Sequence, residues 1–287
     1  MVSRIIVDWL EESRFGFIKN IDHVGGGCIN QGARLETSSG KTFFLKTNMR
    51  APEDMFQREA EGLLALMQPG TPRVPVPYLY DANFLLLEDL LPSSPRSDYW
   101  EEFGRRLAVL HQVTSDFFGF TDDNYIGSTP QPNQQMENGY LFYGQQRLWF
   151  QAQLARDRGL LNTDDVKAIR KLVERLEELI PKQPASLIHG DLWSGNVITD
   201  ETGAPAMIDP AVYYGWAEAE LAMTALFGAF PESFYHSYED ERSLEKGYRE
   251  RFPIYNLYHL LNHLNIFGRS YYHQVHNILK RYSRNYF

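Results

Sequence analysis

The chain has 287 residues, 43% hydrophobic and 23% charged, with a formal net charge of -9. That composition excludes disordered and fibrous classes, and the length suffices for one large domain or two lobes with a real core. The acidic balance argues against a nucleic-acid phosphate backbone as partner, because such binders carry a basic face, and it favours cationic or neutral substrates.

The opening segment, 1–17, alternates apolar residues with acidic ones and lacks both a continuous apolar stretch and a small-residue cleavage site, so no signal peptide is read. No run approaches the roughly 18 consecutive apolar residues of a membrane span, and no membrane partner is expected. One cysteine, Cys28, rules out an intrachain disulfide and a multi-cysteine zinc site, and fits a reducing, cytoplasmic compartment. Nothing in the sequence sets an oligomeric state beyond a monomer or weak dimer.

The first ninety residues read as strands around one helix. Residues 33–37 and 41–46 alternate in and out across Ser38-Ser39-Gly40, which predicts a β-hairpin. Pro52-Glu53-Asp54 supplies helix-start chemistry, and Met55, Phe56, Ala60, Leu63, Leu64 and Met67 form an apolar face that ends at Pro69-Gly70. A Pro-rich connector, 71–77, leads to an apolar strand at 84–87, then to Glu88-Asp89-Leu90 and a polar run where a lobe boundary is expected. Beyond it helical periodicity dominates: 100–112, 140–158, 163–180, and apolar helices from Leu221 and from Pro253 to the end. Two exceptions are a Gly-, Asn- and Pro-rich loop at 118–135 and a strand pair, 196–199 and 206–208. The expected fold is α+β and two-lobed, with a small β-rich N-terminal lobe (1–90) and a larger, mainly α-helical lobe (91–287).

The strongest chemical signal is His189-Gly190-Asp191-Leu192-Trp193-Ser194-Gly195-Asn196, followed thirteen residues later by Asp209 at the end of an apolar strand. Phosphoryl transfer needs a carboxylate to position and deprotonate the attacking hydroxyl, and oxygen ligands to hold Mg²⁺ against the phosphates of ATP. Asp191 fits the base, and Asn196 and Asp209 fit the metal ligands, since a kinase catalytic loop places its Asn five residues after its Asp. Each of these residues alone would read as a turn residue or a helix cap.

Lys46 ends a strand at a register that faces inward with Phe44, so it can reach ATP phosphates. Glu59 shares the apolar face of the following helix, and a buried carboxylate there needs a partner, for which Lys46 is the obvious one. Gly25-Gly26-Gly27 lies between the first strands, where backbone amides can approach phosphates, although a flexible turn has the same composition. Glu88-Asp89-Leu90 stands where a kinase presents backbone groups to adenine; an ordinary strand end is equally compatible. Cys28, in the glycine loop, is either an inert small apolar residue or an oxidisable thiol. His259 and His263 have helical i, i+4 spacing, but His-Leu-Leu-Asn-His lacks the zincin glutamate, and the leucines read as helix packing.

Over almost its full length the chain resembles the fructosamine kinase (ketosamine 3-kinase) family, within the aminoglycoside-phosphotransferase-like kinases. The resemblance is carried by Gly26 to Asn30, Phe44-Leu45-Lys46, the 56–66 helix, Tyr125 to Asn133, His189 to Asn196, Ile208 to Ala211 and Glu220 to Gly228. It implies a protein-kinase-like fold, ATP and Mg²⁺ as cofactors, and phosphorylation of the 3-hydroxyl of ketosamines, small-molecule or protein-bound, as a deglycation repair. It further implies Asp191 as base, Asn196 and Asp209 as metal ligands, Lys46 and Glu59 as the phosphate-positioning pair, and Trp193 and His189 at the sugar-amine pocket. Asp209-Pro210-Ala211 replaces the Asp-Phe-Gly of protein kinases, and no Ala-Pro-Glu segment follows. A kinase of another amino alcohol or aminoglycoside, and a nucleotide-binding pseudokinase, are the competing readings.

Overall fold

A computed structural model of the chain describes residues 2–25 and 30–283; Gly26, Gly27 and Cys28 lie outside the described residues. The N-terminal part opens with a helix, α1 (Arg4–Glu12), which adds to the single helix expected there. Its Ile6 and Leu10, one turn apart, are fully buried. Strands β1 (Ile18–Val24), β2 (Gln31–Thr37) and β3 (Thr42–Thr47) follow, then helix α2 (Met55–Leu66) and strands β4 (Pro77–Asp81) and β5 (Phe84–Glu88). All pairings are antiparallel, in the order β1-β2-β3-β5-β4.

The sheet lies between the two helices. Phe84 and Leu86 point with Phe43 and Leu45 into the cluster under α1, while Leu85 and Leu87 point into the cluster under α2. This two-sided burial explains why β5 reads as an unbroken apolar run rather than an alternating one. On β3 the same alternation leaves Phe44 and Lys46 together on the α2 side.

After β5 the chain passes to α3 (Tyr99–Leu110), two short hairpin strands β7 (Asn124–Ile126) and β8 (Thr129–Gln131), and β6 (Thr114–Ser115) ahead of them. The segment expected as loop thus contains a hairpin turning at Gly127, whose φ is +61°. The long helix expected at 140–158 is continuous but carries seven residues of π-helix, Tyr143–Trp149, between α4 (Gly139–Phe142) and α5 (Phe150–Asp157). The helix expected at 163–180 breaks at Arg175 into α6 (Thr163–Glu174) and α7 (Leu176–Leu179).

Strand β9 (Ala185–Ile188), wholly buried, is central in a three-stranded sheet with β6 and β12 (Tyr213–Gly215), and the hairpin β10 (Val197–Thr199) with β11 (Pro205–Met207) forms a separate two-stranded sheet. Helices α8 (Ala217–Thr224), α9 (Glu232–Glu241), α10 (Tyr248–Phe267) and α11 (Tyr272–Ser283) complete the described residues. Helix α8 begins four residues before Leu221 because Glu218 and Glu220 are buried with partners; a charged residue there does not mark a surface. Among the described residues no helix is long and apolar enough to cross a membrane.

Candidate active site

Strand β9 delivers the chain into the segment His189 to Asn196. Gly190 adopts φ +84°, and a side chain there would collide with the Ala211 carbonyl, so glycine is required for the loop to lie against the segment after Asp209. Asp209 itself has φ +58°, a costly left-handed conformation for a residue with a Cβ. The amide of Ile208 donates to the Asn196 carbonyl at 3.0 Å, which fixes Asp209 beside the Asn196 turn.

The Lys46 ammonium is 8% exposed and stands 2.5 Å from both Glu59 Oε1 and Asp209 Oδ1. Burial alone would lower its pKa, but the Asp209 and Glu59 carboxylates outweigh that and the net shift is upward. One charge therefore joins β3, α2 and the segment after β11. Asn196 Nδ2 donates to the Asp191 carbonyl at 2.8 Å and to its Oδ2 at 3.2 Å. Burial, opposed by the Asn196 hydrogen bond and aided by the Asp209 and Glu220 charges, pushes the Asp191 carboxyl up to about 7.

Among the described residues no group of three or more His, Cys, Asp or Glu could hold a metal by itself. Asn196 and Asp209 offer one amide and one carboxylate, a sparse all-oxygen set that suits Mg²⁺, which keeps water and takes substrate phosphates as its remaining ligands.

The other expected site residues divide. Trp193 is partly exposed, its indole lying over Gly195 and edge-on to Phe227 at 6.0 Å. His189, expected at the substrate pocket, lies instead under the loop and fully buried. Its Nε2 donates to the Ile208 carbonyl at 2.9 Å and its Nδ1 accepts from the Asp191 amide at 3.3 Å, so both nitrogens serve the backbone. Glu88 and Asp89 spend their carboxylates on arginines: Glu88 on Arg73 at 2.8 Å, Asp89 on Arg34 at 2.5 and 3.1 Å. Leu90 is buried. Any adenine contact in this segment is left to the backbone. Gly25 is exposed, with open space where a Cβ would stand.

Two residues that sequence reasoning missed belong here. Glu220 Oε2 accepts from the His189 amide at 2.6 Å and Oε1 from the Gly190 amide at 2.9 Å, so a buried carboxylate orients the loop that carries Asp191. His259 Nδ1 lies 4.0 Å from Asp191 Oδ1, buried and without a hydrogen-bond partner among the described residues. Burial, with the His263 and Arg147 charges, drives its imidazole down to about 3, so it is neutral. The sequence signal for Glu220 is a glutamate inside an apolar run; for His259 there is none beyond helical spacing.

The chain is similar to known proteins over nearly its whole length. The family model described as fructosamine kinase matches residues 2–285. The chain is 43% identical over 264 residues to a probable ketoamine kinase of Synechocystis, covering 90% of this chain and 88% of that one. It is 38% identical over 290 residues to the chloroplastic protein-ribulosamine 3-kinase of Arabidopsis thaliana, covering 97% and 87%. A crystal structure from Thermobifida fusca, assigned as a fructosamine-3-kinase, superposes with a TM-score of 0.89 at 31% identity, over 99% of this chain and all of that one.

Proposed function

Because the chain belongs to the fructosamine kinase family, we propose that it transfers the γ-phosphoryl group of ATP to the 3-hydroxyl of a ketosamine, with residues 1–90 binding ATP and 91–287 carrying the base and the sugar pocket. The observation that carries this reading is the buried Lys46 ammonium held between Glu59 and Asp209, with Asp191 on the neighbouring loop.

In this reading Lys46 binds the ATP phosphates and Glu59 holds it in place. A magnesium ion bound by Asn196 and Asp209 would neutralise phosphate charge. Asp191, with Oδ2 occupied by Asn196, has Oδ1 for the acceptor hydroxyl. A carboxyl poised near pH 7 is matched to taking a proton from an alcohol at neutral pH. The Trp193 indole offers a face to sugar C–H groups and to the substrate ammonium. The acidic overall charge suits an amine-bearing substrate.

A substrate panel tests the proposal: initial rates of ATP consumption with Mg²⁺ and ribulosyl-lysine, fructosyl-lysine, choline or an aminoglycoside. Turnover restricted to the two ketosamines is expected. Turnover of choline or the aminoglycoside alone would transfer the catalytic set to a different substrate class.

A further inference from the structure

We propose that the segment 122–133 is a positioning strap for the nucleotide site, holding α2 and the residues after Asp209 in one register around Lys46. The inference rests on the assignment of Lys46, Glu59 and Asp209 to that site. The segment grips two elements at once. Toward α2, Tyr125 Oη donates to Asp54 Oδ1 at 2.6 Å, immediately before the helix begins, and Asp122 Oδ2 stands 3.1 Å from Arg58 Nη1. Arg58 is held in turn by Asp54 at 3.1 Å and Glu61 at 2.9 Å, and it directly precedes Glu59. Toward the other element, Asn124 Nδ2 donates to the Val212 carbonyl at 2.8 Å and Gln131 Nε2 to the Ala211 carbonyl at 3.1 Å, three and two residues beyond Asp209.

The strap is stiff between its two grips. Asn124 Oδ1 accepts from Gln131 at 2.7 Å and from Asn133 at 2.9 Å. The fully buried Arg147 of the π-helical segment donates to Asn133 Oδ1 at 2.6 Å and to the Pro132 carbonyl at 2.5 Å, its guanidinium lying 3.9 Å from the Tyr213 ring centre. The path closes on itself: strap to α2, Glu59 to Lys46, Lys46 to Asp209, and the carbonyls after Asp209 back to the strap. Gly62, on α2, packs at the same place, where an added Cβ would stand 3.0 Å from Val212 Cγ2.

The members differ in weight. Asp122 is about half exposed, so its pair with Arg58 is screened and weak. The buried amide contacts are the anchor, because losing one strands a carbonyl. The Tyr125 to Asp54 bond, a hydroxyl donating to a carboxylate, is the stronger reach toward α2.

The test is a double-mutant cycle on Mg·AMP-PNP affinity, measured by isothermal titration with the full chain: wild type, Tyr125→Phe, Glu59→Gln and both together. Tyr125→Phe keeps the ring and removes one oxygen, and Asp122→Asn serves as a second strap variant. If the strap acts through Glu59, Tyr125→Phe weakens nucleotide binding about three- to tenfold in the wild-type background and by less than about twofold in the Glu59→Gln background, with Asp122→Asn following the same pattern more weakly. Equal weakening in both backgrounds, or none in the wild type, would overturn the strap. A wild type that binds no Mg·AMP-PNP would defeat the nucleotide-site assignment itself, and the strap with it.

Discussion

At the scale of single residues, the site combines a left-handed Asp209 with a raised Asp191 carboxyl. Asp191→Asn should lower kcat by about 10² to 10⁴, the range for loss of a general base, while nucleotide affinity is retained; steady-state rates and a binding titration check this. The same substitution should stabilise the fold at alkaline pH. A carboxyl raised from near 4 to about 7 keeps its proton longer when folded, so its contribution to stability falls as pH rises through that window. Asparagine has no such slope: its advantage is absent below about pH 4 and grows to at most about 4 kcal/mol above pH 7, read as urea midpoints at pH 4 and pH 8. Glu220→Gln replaces an acceptor of two amides by a group with its own donor, and should cost about 1–3 kcal/mol of stability with a fall in kcat. Thermal melts and initial rates measure both. The Lys46–Glu59 pair was legible because strand register and helix face project both inward, and the return of Asp209 beside Asn196 because a short hairpin joins them; that Asp209 also meets Lys46 was not. His189 was misplaced because a motif histidine reads as a pocket residue, whereas here two backbone groups occupy its ring. Glu220 and His259 reach the site from α8 and α10, and local pattern does not report such long-range approaches.

At the scale of elements, local pattern was most informative where one face of an element decides its environment. The β2–β3 hairpin and α2 stand within a few residues of expectation. Helix α9 was missed because its sequence, Glu-Ser-Phe-Tyr-His-Ser-Tyr-Glu-Asp-Glu, is mostly polar, although Phe234, Tyr235 and Tyr238 are buried. Helix α10 starts at Tyr248, five residues before Pro253, where the Arg251 to Glu218 ion pair, at 2.6 Å, ties its first turn to α8. Glycine marks two helix contacts of different kinds. Gly62→Leu should push α2 off Val212, lose about 1–3 kcal/mol from overpacking, and raise KM for ATP. Gly104 of α3 faces the Phe234 backbone carbonyl in α9, so Gly104→Ala should lower stability with KM for ATP unchanged. Melting temperatures paired with ATP saturation curves separate the two; a shared KM effect would contradict this division.

At the scale of the whole molecule, one apolar cluster runs from α2 and β5 through the helical part, and a smaller one lies under α1. Helix α2 thus shares its core with the helices packed around the loop that carries Asp191. Arg73 adds a polar tie, pairing with Glu88 at the end of β5 and with Asp200 and Glu201 in the β10–β11 turn, at 2.8, 2.9 and 2.8 Å. The change from strand to helix composition near residue 90 made the α+β architecture legible. These ties were not, since their partners lie far apart in sequence and belong to common surface residue types. The central claim, phosphoryl transfer to a ketosamine with Asp191 as base, is tested most directly by phosphorus and proton NMR of the product formed from ribulosyl-lysine and Mg·ATP by wild type and by Asp191→Asn. A phosphate on the sugar 3-oxygen, formed by the wild type and lost in the variant, is the predicted result. A phosphate elsewhere on the sugar, no product from the wild type, or undiminished product from the variant would contradict it.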